Sequence, residues 1–187
     1  MTNEYLKNSL SIIEECQMAL EAVAEEQVQA YLTILEEADK VFFVGVGRVL
    51  LALKAIAKRY GHLGIKAVVV GEITEPAITD KDVLIVGSGS GETLFPLGIA
   101  GKAKQLGAKV VHIGSNPESS LSQYTDLFLR IPVESRAKKE DEIASRQPMT
   151  SLFEQSLLLF GDATAMMIIK QRDLDMEQLW EYHANLE

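Results

Sequence analysis

Apolar and polar positions change period several times along the chain, and each change predicts an element. From Tyr5 through Glu37 the residues Leu6, Leu10, Ile13, Leu20, Val23 and Val28 fall mostly at three- and four-residue steps, with acids between them. That is the period of an amphipathic helix, and it predicts an N-terminal helical region over residues 1–37 with room for an interruption. The next run, Val41-Phe42-Phe43-Val44-Gly45-Val46, is short and almost wholly apolar, as a strand buried on both faces of a parallel sheet must be. Runs at 67–70, 83–86 and 109–113 repeat it, and 126–131 supplies a fifth. Helical stretches fall at 50–60, 93–106 and 152–170, and a short one is expected at 173–183. This alternation predicts an α/β fold, a doubly wound parallel sheet of five strands flanked by helices.

No repeat or low-complexity tract divides the 187 residues, so one domain spanning 1–187 is the simplest organisation. Within it, 134–148 is dense in charge and ends at Pro148; it reads as a mobile loop, either a lid or a connector. Residues 174–187 form a C-terminal tail. A hydrophobic content of 47% supplies a core and excludes a disordered or fibrous chain. A net charge of −9 disfavours polyanions, so neither nucleic acid nor an acidic membrane is an expected partner. A lone cysteine, Cys16, and the absence of Cys/His zinc spacing predict no disulfide, no metal site and a reducing, cytoplasmic setting. The stretch Met1–Glu15 is polar and acidic, and no apolar run is expected to reach the roughly 18 residues of a membrane span.

Ligands of an open α/β sheet bind beyond the carboxyl ends of its strands. Two glycine-rich stretches stand there. Gly87-Ser88-Gly89-Ser90-Gly91-Glu92-Thr93 links a buried strand to a helix; its glycines permit close backbone approach, and its hydroxyls stand beside the unpaired N–H groups of a helix start. The stretch reads as a cradle for a small anion. It lacks the Gly-Lys-Ser/Thr of a Walker loop, and Glu92 stands where a dinucleotide fingerprint has its third glycine. The plainer alternative is a strand-to-helix turn with Thr93 near an N-cap. The second stretch, Gly45-Val46-Gly47-Arg48, offers a guanidinium able to grip a phosphate or a hydroxyl pair.

These residues carry a resemblance. Ser88-x-Ser90-x-x-Thr93 after a strand resembles the phosphosugar loop of the sugar isomerase (SIS) domain, whose sheet order is flavodoxin-like. More narrowly, the chain is similar to the 6-phospho-3-hexuloisomerase family of the ribulose monophosphate pathway. The similar stretches are Phe43–Arg48, His62-Leu63-Gly64, Val70-Gly71-Glu72 with Thr74 and Pro76-Ala77-Ile78, and Ser88–Thr93. They continue with Ser115–Ser119, Gln147-Pro148-Met149 with Ser151–Ser156, and His183-Ala184-Asn185-Leu186-Glu187. The likeness runs from about Val41 to the last residue, and one departure stands out. The family usually has a serine and then a small residue after the arginine, whereas this chain has Val49 and Leu50. That leaves open a phosphosugar-binding regulator without catalysis, or an isomerase of a different sugar phosphate.

The resemblance implies interconversion of 3-hexulose 6-phosphate and fructose 6-phosphate through an enediol. Such a shift needs one base and an acid, and neither a metal nor an organic cofactor. Glu154 is the implied base; without the resemblance it reads as a first-turn acid facing the helix dipole. The acid is His62 or His183, although His62 also suits a helix C-terminus, while His112, inside a strand, reads as a core or structural residue. Substrate contacts are implied for Gly47, Arg48, Ser88, Gly89, Ser90, Gly91, Glu92 and Thr93, with Glu72 orienting a partner or bonding a sugar hydroxyl. Glu92 has the plainer reading of a first-turn acid. By resemblance the ring-rich tail Leu179–His183 completes a neighbour's pocket in a homo-oligomer, a tetramer; docking on its own domain is the alternative.

Overall fold

A computed structural model describes residues 3–135 and 139–186. Expectations falling on Met1, Thr2, residues 136–138 of the charged loop, and Glu187 of the tail lie outside the described residues. Two helices, α1 (Glu4–Glu21) and α2 (Glu25–Glu37), precede an alternation of β1 (Val41–Val44), α3 (Gly47–His62), β2 (Ala67–Val69), β3 (Val83–Gly87), α4 (Leu94–Gln105), β4 (Lys109–Gly114), β5 (Leu127–Arg130) and α5 (Ser151–Gln171). Short 3-10 turns occupy Ser120–Tyr124 and Gln178–Tyr182. The expected interruption of the N-terminal region falls at Ala22–Ala24, and the short terminal helix is a 3-10 turn rather than an α-helix.

All five strands are parallel, in the order β2-β1-β3-β4-β5. The chain therefore reverses direction across the sheet at the β1/β3 boundary, the position at which open α/β sheets leave a crevice. Successive strand residues go to opposite layers. Val41, Phe43, Val83, Ile85, Val111 and Ile113 face the layer of α1, α2, α3 and α5, whereas Phe42, Val44, Leu84, Val86 and Val110 face the thinner layer of α4 and the turn at Leu121.

Helix α5 settles the thicker layer. Gly161 lies where a Cβ would collide with Ile56, so where the two helices cross the Ile56 side chain of α3 packs directly on the backbone of α5. A hydrogen-bond chain fixes the same crossing: Thr164 Oγ1 donates to Phe160 O (2.9 Å) and so accepts from Tyr60 (2.7 Å), which accepts from Tyr31 (3.1 Å). Burial drives the pKa of the Tyr60 hydroxyl up to about 12, so the chain stays protonated across the physiological range.

One expectation needs correction, and two features add to the picture. Helix α5 is, by length and composition, apolar enough to cross a membrane, contrary to the reading that no stretch approaches such a span; half of its apolar window is buried inside the protein, where core contacts account for its composition. Helix α1 turns the other way from its apolar stripe. Leu10 and Ile13 are exposed, while Glu15, Cys16 and Ala19 are buried and pack towards α5. The described part of the 134–148 segment is tied at many points: Val133 bridges Ile143, Glu142 accepts from the amides of Ser135 (3.0 Å) and Lys139 (3.1 Å), and Arg130 pairs with Asp141 (2.6 Å).

Candidate active site

The loop after β3 is built from carbonyls that turn inward. Ser88 O accepts from His112 Nε2 (2.8 Å), Gly89 O from the amides of Ser115 (2.9 Å) and Asn116 (3.2 Å), Ser90 O from Asn116 Nδ2 (3.3 Å), and Gly91 O from Leu121 N–H (3.2 Å). Four consecutive acceptors are thereby satisfied by the protein. Among the described residues the N–H groups of Gly89, Ser90, Thr93 and Leu94 have no partner. A row of open donors ahead of α4 is what an anion requires.

Side chains hold this shape. Ser88 Oγ is buried and accepts from Gly91 N–H (3.1 Å), and Ser90 Oγ accepts from Glu92 N–H (3.3 Å), keeping its own proton to give. Gly91 has φ +68°, and a Cβ there would collide with Ser119 Oγ; both the sign of φ and the contact demand glycine. Ser119 Oγ is itself buried, with no partner among the described residues. Thr93 is the N-cap by position but makes no side-chain cap bond. Glu92 faces away from the row of donors: its two oxygens accept from Ser120 N–H (2.8 Å) and Ser120 Oγ (2.6 Å), which lowers its pKa, and it caps the turn at Ser120–Tyr124.

Arg48 and Glu154 meet beside this loop. Gly47, at φ +57°, opens α3 and delivers Arg48, whose Nε donates to Glu154 Oε2. The two sit unequally: the Glu154 side chain is 11% exposed and the Arg48 side chain 65%. Thr150 Oγ1 donates to the other carboxylate oxygen (3.2 Å). Phe153, the residue before Glu154, sets its ring 3.5 Å from where a Cβ of Gly89 would stand, so the carboxylate and the anion cradle share one lip of the sheet. Val49 fills the angle between β1 and β3, its Cγ1 at 2.9 Å from a Cβ at Gly87 and 3.3 Å from one at Gly45.

The histidines lie elsewhere. His62 ends α3, fourteen residues from Arg48 and thus roughly 20 Å down the helix axis. His183 stacks on it at 5.2 Å, Trp180 tilts against His183 at 5.0 Å, and Tyr182 meets Gly64. Within the chain these tail residues lie against the C-terminal end of α3 and the turn after it. A 570 Å³ cavity along β2 and α3 is lined by His62, Tyr182, Glu72 and Lys54 and includes neither Glu154 nor the cradle. Glu72 pairs there with Lys54 (2.7 Å). Burial, then the charges of Lys58, Arg59 and His183, lower the His62 pKa, so the ring is neutral at pH 7. Arg59 Nη1, always a donor, faces Nδ1 at 3.4 Å, which assigns the ring proton to Nε2, a buried atom with no partner among the described residues.

Known proteins share both the sequence pattern and the fold. A model of the SIS domain matches residues 34–167. The chain belongs to the SIS domain family. It is 37% identical over 186 residues to the 3-hexulose-6-phosphate isomerase of Bacillus subtilis, covering 100% of this chain and 99% of that protein. It is 35% identical over 183 residues to a protein of the same name from Mycobacterium gastri, covering 97% and 92%. The crystal structure of a Methanococcus jannaschii protein, for which a 3-hexulose-6-phosphate isomerase function was inferred, superimposes with a TM-score of 0.83 at 28% identity, covering 97% of this chain and 99% of that one.

In this SIS chain, sequence reasoning missed the residues that shape the cradle from behind. His112, read as a core or structural residue, is buried and grips Ser88 O, a contact no pattern specified; Asn116 and Ser119 lie in the Ser115–Ser119 stretch, for which no role was expected. The His112 and Asn116 bonds cross 24 and 26 positions of chain, and no periodicity signals them.

Proposed function

We propose that the chain is a 3-hexulose-6-phosphate isomerase that interconverts its substrate with fructose 6-phosphate. The observation that carries this reading is a shielded carboxylate, Glu154, on the same lip as a loop whose carbonyls at Ser88–Gly91 are turned inward and whose amides at Gly89, Ser90, Thr93 and Leu94 are open. The substrate class follows the names of the full-length relatives. The phosphate takes the open amides of Gly89, Ser90, Thr93 and Leu94, the hydroxyl of Ser90 helps hold it, and Arg48 steers the sugar end. Glu154 removes the C2 proton from the 3-ketose, giving an enediol, and returns a proton at C3; a second group carries the hydroxyl proton from O2 to O3. Atoms balance without a redox partner, so the route needs no cofactor.

The acid is His62 or His183 of a neighbouring subunit. Within one chain His62 is roughly 20 Å from Arg48 by helical rise, beyond the reach of one substrate molecule. A homotetramer supplies the neighbour, and the exposed apolar residues Leu10, Ile13, Leu94, Phe95 and Trp180 are what its interfaces would cover. The setting is cytoplasmic, and the role is a step of formaldehyde fixation by the ribulose monophosphate pathway.

A panel of phosphorylated pentoses and hexoses, followed for turnover and for solvent proton exchange, tests the reading. Turnover confined to the 3-hexulose 6-phosphate/fructose 6-phosphate pair is the expected result. Binding of the sugar phosphate with neither exchange nor turnover would make the chain a non-catalytic binder, and turnover of another pair would reassign the substrate.

A further inference from the structure

Glu15 is a charged residue in the middle of α1, yet it is only 4% exposed. Its Oε1 accepts from Arg146 N–H (3.0 Å) and Arg146 Nε (3.2 Å), and its Oε2 accepts from Ser145 Oγ (2.7 Å) and Gln147 Nε2 (3.1 Å). Three consecutive residues of the loop ahead of α5 thus end on one carboxylate. Burial alone would raise its pKa, but the bonds from the Arg146 amide, Ser145, Gln147 and the Arg146 side chain hold it below the ordinary carboxylate value. The group is ionised and fully used at neutral pH.

A strained joint lies two residues beyond this clamp. Met149 has φ +58° and is exposed. A non-glycine residue in the left-handed region is strained and persists only where its surroundings force it. Past the joint, Ser151 N–H and Ser151 Oγ both donate to Pro148 O (3.3 and 2.8 Å), and Thr150 Oγ1 donates to Glu154. From the other side Cys16, next to Glu15, approaches Gln155 Oε1 at 3.6 Å. Helix α1 therefore holds the chain both before and after Glu154.

We infer that Glu15 is a positioning residue for the reaction: its carboxylate fixes residues 145–147 so that the left-handed joint at Met149 launches α5 with Glu154 set against Arg48 and the cradle. The inference rests on Glu154 as the base. A catalytic group displaced by about 1 Å loses rate on the order of a hundredfold, so a clamp that fixes its helix entry acts on kcat rather than on substrate binding.

The test compares Glu15→Ala, Glu15→Gln and, as a control, Glu21→Ala at the exposed end of α1, whose carboxylate, among the described residues, bonds only Gln17 of its own helix, in the full-length protein, with kcat, KM, exchange into fructose 6-phosphate and melting temperature measured for each. Glu15→Ala should lower kcat by roughly tenfold to a hundredfold, with KM within about twofold of the parent. Glu15→Gln keeps the volume and one acceptor oxygen, so its loss should be intermediate; Glu21→Ala should keep the parental kcat. If Glu15→Ala does not fold, Glu15→Gln carries the test: a several-fold fall in kcat at constant KM supports the inference. A kcat per folded molecule equal to the parent's, with only the melting temperature lowered, overturns it. Glu154→Gln, assayed alongside, separates the two claims. Full turnover in that variant overturns the base assignment and the clamp with it, whereas loss there with unchanged Glu15 variants overturns the clamp alone.

Discussion

At its N-terminal end α3 carries Arg48 against Glu154, beside a loop of open amide donors. At its C-terminal end, roughly 20 Å away, it carries His62 with Lys58 and Arg59 close by, under the ring of His183. The first region gathers open amide donors and a shielded carboxylate; the second gathers a neutral N–H donor whose Nε2 has no partner among the described residues. Their separation teaches that a residue set taken from a linear motif need not converge in one chain. Each end of α3 is chemically half of what an enediol shift requires, and a symmetric assembly that juxtaposes unlike ends of two copies would complete both halves at once.

The largest effect that would break this comparison comes from Glu154→Gln, which should cost about 10²–10⁴ in kcat, the range of general base catalysis, with binding of fructose 6-phosphate preserved. His62→Gln should lose activity by a comparable route. Mixing the two inactive variants sharpens the point. In a dimer unit with shared sites, half the random pairs are hybrids and each hybrid holds one intact site, so roughly a quarter of the parental activity should return. No recovery after dissociation and reassembly would mean that the two regions do not serve one site across subunits.

An intermediate effect tests the cradle alone. Ser90 Oγ accepts from Glu92 N–H and retains a proton of its own to donate. Ser90→Ala should weaken phosphosugar binding by about 1–2 kcal/mol, the scale of a hydrogen bond to a charged group, measured by calorimetry with inorganic phosphate and fructose 6-phosphate. An unchanged dissociation constant for both would remove that hydroxyl from the site.

The same contrast governs what was legible in the sequence. Strands β1, β3 and β4 are buried on both faces, so their runs are continuous and apolar, and their order follows once a doubly wound sheet is accepted. The loops after β1 and β3 were legible because glycines and hydroxyls are concentrated there. His112 and Asn116 were not, since their work is to hold carbonyls far away in the chain, across the sheet. Helix α1 misled for a physical reason. Its periodicity is genuine, but the apolar stripe of Leu10 and Ile13 faces outward and an acid, Glu15, faces inward; periodicity reports that a helix has two faces and not which partner each face meets. Glu92, expected among the substrate contacts, accepts from Ser120 N–H and Ser120 Oγ at a turn that the pattern did not reveal.

The smallest expected effect concerns Val49, where the related family usually carries serine. Its Cγ1 packs close to both Gly87 and Gly45, so the side chain closes the angle between the loops after β1 and β3 with methyl groups. Val49→Ser removes part of that packing and places a hydroxyl one residue from Arg48, between the base and the cradle. Losing a buried methyl costs about 1 kcal/mol, so the melting temperature should fall by a few degrees, while kcat/KM for fructose 6-phosphate should rise a few-fold as a donor is gained at the lip, on the scale of roughly 1 kcal/mol for a net hydrogen bond. Both quantities are read from one purified variant. A lowered melting temperature with kcat/KM unchanged would show that Val49 serves packing alone, and that Arg48, Glu154 and the open amides suffice for whatever rate the chain attains.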